Sequence, residues 1–214
     1  MTDLDPTRQR LLDAAGPVFA EKGYDNASVR DITDRAGVNV SAVNSYFRSK
    51  EQLYLETVRT AYEAIAEAAA LTPPKPGGPA ADRLRRFVRA FLTRLLRDDG
   101  EPWHRALIMR EVSEPTVACA HIVEGFIRPT VQTLLGILDD LLPPGAPAQK
   151  RQLIACSIAG QCLHYVHGRH VIPYIVGEDA ARHLTIDVLA EHIAEFSLAA
   201  VAKLYPARKH GART

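Results

Sequence analysis

The stretch Ser28-Val29-Arg30-Asp31-Ile32-Thr33-Asp34-Arg35-Ala36-Gly37-Val38-Asn39-Val40-Ser41-Ala42-Val43-Asn44-Ser45-Tyr46-Phe47-Arg48-Ser49-Lys50-Glu51-Gln52-Leu53 decides the fold. Ser28 followed by Asp31 is a capping box, with Asp in place of the preferred Glu, so a short helix begins there. Gly37 ends that helix at a turn that needs φ > 0. Another short helix is predicted from about Asn39 to Tyr46, and Ser49 with Gln52 forms the next capping box. Two short helices joined through a glycine make a helix-turn-helix. Counted from Val29, Gly37 is the ninth position and Val43, which must pack one helix onto the other, the fifteenth. Thr33, at the fifth, is larger than the Ala that a close helix approach favours.

Outward from this stretch the apolar pattern stays helical. Leu11, Ala15, Val18 and Phe19 share one face of a first helix, capped by Asp5 with Pro6 in the first turn and ended by Gly23. Downstream, a long helix is predicted from Lys50 to about Leu71. Thr72 to Ala80 contains Pro73, Pro74, Pro76, Gly77, Gly78 and Pro79, and reads as a loop or linker. Leu84, Phe87, Val88, Phe91, Leu92 and Leu95 mark a further amphipathic helix. Gly100 and Pro102 interrupt the chain, and a helix restarts near Trp103 and reaches about Ser113. Val117 to Leu142 reads as one long helix kinked at Pro129. After Pro143, Pro144, Gly145 and Pro147 comes a helix at 148–169, apolar around most of its circumference and so expected to be buried. Pro173 and Gly177 bracket an irregular segment, and Asp179 is read as the cap of a final helix to about Tyr205. The expected fold is all-α with about nine helices: a three-helix domain over residues 1–54, then a helical body over 55–214.

Composition narrows the function. In 214 residues, 26 Lys and Arg face 25 Asp and Glu, which excludes a polybasic nucleic-acid coat or an acidic solvating protein. Residues 1–54 hold seven basic and eight acidic side chains, although the balance from Ser28 to Lys50 turns to +2 through Arg30, Arg35, Arg48 and Lys50. A nucleic-acid contact on this head would therefore lean on hydroxyls and backbone N–H groups, with weak non-specific binding and a modest salt slope. Cys119, Cys156 and Cys162 match no zinc or redox spacing and read as free, mostly buried thiols in a reducing compartment. No signal peptide opens the chain, and the longest uncharged stretch, Gln152 to Gly168, is too polar to span a bilayer, so a cytoplasmic location is expected. There is no Gly-rich phosphate loop, G-x-S-x-G or H-E-x-x-H, and no catalytic residue is assigned. A helical enzyme would need an acid/base set that is not visible here.

The helix after Gly37 carries the chemistry. Asn39, Val40, Ser41, Asn44 and Ser45 offer amides, hydroxyls and one apolar group suited to base edges in a major groove, and Asn can bond N6 and N7 of adenine together. Ser28 and Ser49 start helices whose free N–H groups favour a phosphate oxygen. Arg30, at the start of its helix, is placed to reach a base or a phosphate.

Gly23-Tyr24, Ser28-Val29-Arg30-Asp31-Ile32, Ala36-Gly37-Val38, Tyr46-Phe47 and Ser49-Lys50-Glu51-Gln52-Leu53 together resemble the TetR family of bacterial transcriptional regulators, over about residues 7–55. The family commonly has Tyr where this chain has Asn44. Gly37-Val38-Asn39 with Ala42, Asn44 and Tyr46 resembles the branch that includes CecR-type regulators, as does Met109 to Pro115, with Arg110, Glu111 and Glu114. The resemblance implies a homodimeric repressor of double-stranded DNA, released from a pseudo-palindromic operator by a small organic effector bound in a C-terminal ligand-binding and dimerisation domain. It further implies phosphate contacts from Tyr46 and Lys50, and a dimer interface from the helices at about 148–169 and 179–205.

Phe87, Phe91, Trp103, Met109, Phe126 and Tyr165 are the bulky candidates for the effector pocket, with Arg110, Glu111 and Glu114 as polar anchors or as surface ion pairs. A second reading, a metal-sensing regulator, rests on His164, His167 and His170 at i, i+3 and i+6; interface or capping histidines are the alternative, and no metal site is assigned.

Overall fold

The computed structural model describes residues 5–68, 77–96 and 100–205, and every regular element among them is helical. Twelve α-helical segments occur: α1 (Pro6–Asn26), α2 (Val29–Ala36), α3 (Ser41–Phe47), α4 (Lys50–Ala68), α5 (Ala80–Leu96), α6 (Pro102–Ser113), α7 (Cys119–Ile122), α8 (Arg128–Leu141), α9 (Ala148–His167), α10 (Ile172–Val176), α11 (Glu178–Arg182) and α12 (Ile186–Leu204). The chain divides into two compact units, Met1–Ala68 with Asp98–Arg128, and Ala69–Arg97 with Pro129–Thr214.

In the first unit the capping logic of the sequence is realised. Asp5 accepts from the Thr7 N–H at 2.8 Å and Pro6 begins α1. Gly23 breaks α1 at φ 78°, and the chain makes one more turn to Asn26. Ser28 Oγ accepts from the Asp31 N–H at 3.0 Å while Asp31 accepts from the Ser28 N–H at 2.9 Å. Gly37 closes α2 in the left-handed region, at φ 66°. Leu11, Ala15, Phe19, Ile32, Val43, Phe47 and Leu53 pack into one core. Leu107 and Ile108 of α6 and Ile122 of α7 belong to that same core, so the head is built from two separate stretches of chain. Thr33 fits fully buried because its hydroxyl bonds back to the Arg30 carbonyl at 3.2 Å.

The helix expected from Val117 to Leu142 begins at Cys119 and runs to Leu141 with a π-helical turn at Val123–Ile127. Pro129 has no N–H to offer the carbonyl of Gly125, one turn back, and the Tyr62 hydroxyl takes that carbonyl at 2.6 Å.

In the second unit α5, α9 and α12 pack around Leu84, Val88, Leu92, Leu138, Ile158, Leu189 and Ile193. Arg85 pairs with Glu191 at 2.9 Å and Arg89 with Asp187 at 2.7 Å along α5 and α12. Three expectations are corrected here. The final helix does not start at Asp179: α11 stops at Arg182, and Thr185 caps a new helix by accepting from the Val188 N–H at 3.4 Å. That split, with the short α7 and α10, takes the helical segments above nine. The helix at 148–169 ends at His167, and within this chain it is buried on one side only: Ala155, Ile158 and Cys162 are inside, while Leu153 is 54% exposed. Cys156, expected in the core, is exposed, whereas burial pushes the Cys162 thiol up to about 12. The Pro-rich stretch predicted as a loop lies outside the described residues up to Pro76, and Gly77 and Gly78 follow at positive φ.

Candidate nucleic-acid interface

α3 is held by its buried side, where Val43 and Phe47 enter the core, and Asn39, Val40, Ser41, Asn44 and Ser45 are all exposed on the other. Asn39 Oδ1 accepts from the Ser41 N–H and the Ser41 hydroxyl, each at 3.0 Å, and so starts the helix as well as facing solvent. The Ser45 hydroxyl donates to the Ser41 carbonyl at 3.1 Å, which leaves its oxygen as an acceptor. Among the described residues the Asn44 amide has no protein partner, so all its bonding capacity points outward. Val40, 48% exposed, adds an apolar contact of the size of a thymine methyl.

The groups expected at phosphates flank this helix, each with an internal partner. Ser28 is spent on the α2 cap, and Ser49 Oγ accepts from the Gln52 N–H at 3.1 Å at the start of α4. The Tyr46 hydroxyl donates to the Asp5 carboxylate at 2.8 Å, a contact over 41 positions that spacing arguments do not reach. It holds the Asp5 carboxyl below the usual carboxylate range and raises Tyr46. The Lys50 ammonium sits 4.6 Å from the centre of the Tyr24 ring and donates to the Asp25 carbonyl at 3.4 Å. Arg30 is exposed, 3.8 Å from Asp34. Arg48, also exposed, ends α3 at φ 66°, a left-handed conformation in a residue that is not glycine.

The pocket candidates divide between the units. Trp103, Met109, Arg110 and Phe126 lie in the first, with Trp103 against Gly16 and Phe126 edge-on to Tyr62 at 4.9 Å. Phe87, Phe91 and Tyr165 lie in the second, where Phe87 stacks on Phe91 at 5.9 Å. Arg110 and Glu114 pair at 3.2 Å, but Glu111, read as an anchor or a surface charge, is 1% exposed. It accepts from the Tyr54 hydroxyl, from Thr116 Oγ1 at 2.7 Å and from the Thr116 N–H at 3.2 Å. A polar cleft of about 240 Å³ opens beside it, between the end of α1, α4, α6 and the loop at 114–116. The sequence offers Glu111 as an anchor or a surface charge, but nothing local announces its burial, because its partner Tyr54 lies 57 positions away.

His164, His167 and His170 are exposed and form no cluster able to hold a metal; among the described residues no such group of three occurs. α9 ends at His167, so His170 leaves its helical face. No described helix is long and apolar enough to cross a membrane.

A longer helix and two short ones around one core, with the third presenting exposed polar side chains, define the helix-turn-helix class of DNA-binding proteins. Residues 11–57 match the family described as bacterial regulatory proteins of the tetR family. Residues 80–201 match the C-terminal domain of the HTH-type transcriptional dual regulator CecR. The chain belongs to the TetR family, with a CecR-type C-terminal domain. It is 28% identical to the dual regulator CecR of Shigella flexneri over 182 residues, 78% of this chain and 79% of that one. It is 31% identical to the transcriptional activator FasR of Mycolicibacterium smegmatis over 118 residues, 53% of this chain and 51% of FasR, so that the match spans about half of that relative. The crystal structure of FadR from Bacillus subtilis in complex with stearoyl-CoA shares the fold, with a TM-score of 0.58 at 18% identity over 89% of this chain and 97% of that one.

Proposed function

We propose that this chain is a ligand-responsive, cytoplasmic transcriptional repressor. It binds a pseudo-palindromic operator as a homodimer and leaves it when a small organic effector binds. The observation that carries this reading is the exposed Asn44, unpartnered among the described residues, at the centre of a helix whose other exposed groups all suit base edges. In the proposal residues 1–54 read DNA and residues 55–214 bind the effector and dimerise. Tyr46, Lys50, Arg30 and the helix starts at Ser28 and Ser49 meet phosphates. The apolar groups that α9 and α12 leave uncovered support the dimer: Leu153 is 54%, Phe196 60% and Leu204 67% exposed. Two copies of α3 one DNA turn apart, about 34 Å, would serve the two half-sites. FadR binds stearoyl-CoA, and an amphipathic acyl thioester of that kind heads the effector screen.

The test is fluorescence anisotropy of the purified protein on the DNA flanking its own gene, beside a scrambled duplex. Preference for the native duplex is expected, with a loss in Asn44→Ala of about 5- to 150-fold for each adenine contact removed, one in each half-site. Equal, weak binding to both duplexes, unchanged in Asn44→Ala, would overturn the reading.

A further inference from the structure

Glu111 is a buried charge that base and phosphate contacts alone do not use. A carboxylate with 1% exposure is costly unless its oxygens are fully engaged, and three donors engage this one: the Tyr54 hydroxyl of α4 and both the hydroxyl and the N–H of Thr116. An apolar side chain in its place would join α6 to α4 equally well, but would not fix where the Tyr54 hydroxyl lies.

That position is transmitted. The Tyr54 ring packs edge-on against Phe19 at 4.7 Å and tilted against Tyr24 at 4.8 Å. The Tyr24 ring in turn carries the Lys50 ammonium at 4.6 Å. The Tyr54 ring is fully buried, so its hydroxyl must find a protein partner, and Glu111 supplies the acceptor beside a polar cleft of about 240 Å³ that Tyr24, Tyr54, Glu111 and Thr116 all line. With the ring enclosed, the bond to Glu111 fixes where that hydroxyl points.

We propose that Glu111 is a positioning residue for DNA binding: it fixes Tyr54 through its hydroxyl, Tyr54 sets the Tyr24 ring, and that ring places the Lys50 ammonium for an operator phosphate. The proposal rests on the DNA-binding reading above and deepens it, since it brings a residue of α6 into the affinity of the head. Burial and the Glu111 bond also push the pKa of Tyr54 up, which keeps its hydroxyl protonated and a donor across the working pH range.

Tyr54→Phe removes the hydroxyl and keeps the ring, so the head retains its core. Two measurements test the relay. In the free protein, the ε-methylene protons of Lys50 carry an upfield ring-current shift from Tyr24; that shift is expected to fall in Tyr54→Phe, and an unchanged shift overturns the proposal. On operator DNA, Tyr54→Phe is expected to weaken binding about 2- to 30-fold. It should also lower the salt slope by up to about 2, one phosphate contact for each head of a dimer. In a Lys50→Met background the same substitution is expected to cost nothing further. An equal loss in both backgrounds overturns the relay, since a merely structural weakening would not depend on Lys50. Failure of the unsubstituted protein to prefer its operator would instead overturn the DNA-binding reading, and the ring-current measurement, made without DNA, keeps the two failures apart.

Discussion

Gly16 and Trp103 set a sharp test of how α6 is seated on the head. Gly16 lies buried in the middle of α1, and a Cβ added there would come within 2.5 Å of three atoms of the Trp103 ring. Ordinary van der Waals contact begins near 3.4 Å, so the ring would have to retreat by about 1 Å. Two effects compete in Gly16→Ala. Alanine in a helix interior is favoured over glycine by about 1 kcal/mol, whereas overpacking a core contact costs about 1–3 kcal/mol. The structure selects the second, because the obstructing atoms belong to the rigid indole of Trp103, in the first turn of α6 and packed against the core, and a net loss of about 1 kcal/mol is expected. In a Trp103→Leu background the obstruction is gone, and the same substitution should become stabilising by about 1 kcal/mol, a coupling of about 2 kcal/mol between the two sites. Urea denaturation followed by far-ultraviolet circular dichroism at one fixed protein concentration measures this. Fluorescence does not serve in both backgrounds, because Trp103 is the only tryptophan in the chain. A stabilised Gly16→Ala in the parent, or the same shift in both backgrounds, would refute the argument that close approach to Trp103 is why this helix carries a glycine.

Other consequences are as direct. Asp5→Asn keeps the α1 cap and the acceptor for Tyr46 but removes a negative charge from the face proposed to meet DNA. Binding about 2- to 5-fold tighter is expected at low salt, fading as salt rises, in anisotropy titrations. Asp31 is held well below its usual 3.8 by Lys22 and then by Ser28. Its folded-state value is depressed, so its stabilisation is present above about pH 4 and is lost as the pH falls further. The melting-temperature gap between the parent and Asp31→Asn should be constant above pH 5 and close below pH 4. Phe196→Lys places a charge in the apolar face of α12 and is expected to give a monomer in light scattering, with loss of tight operator binding.

The parts of this molecule that were legible in the sequence are those written in short-range chemistry. The Ser28–Asp31 box, the left-handed Gly37 and the Asp5–Pro6 start are all decided within four residues, and each stands where the pattern put it. The exposed face of α3 was equally open to reading, since Val43 and Phe47 leave only one side free. Longer-range facts were not. The break before Thr185 hides inside an apolar period that continues across it, and Thr185 has no acidic partner three residues on to betray the cap. The apolar girth of α9 predicted burial all round, but composition does not say that Leu153 stays exposed within this chain. Glu111 meets Tyr54 across 57 positions, and Tyr46 meets Asp5 across 41, distances at which a residue type carries no information about its partner.

The discontinuous head has a consequence for how the protein is made and rebuilt. Leu107, Ile108 and Ile122 complete the core that begins at Leu11, so the core of the head is unfinished on the ribosome until about the 128th residue has left the exit tunnel. A chimaera that grafts this head onto another regulator by cutting after Leu53 or Tyr54 would strip away its α6 wall. The transferable cassette is residues 1–68 together with 98–128, and swaps that respect the second stretch are the ones that should keep their operator.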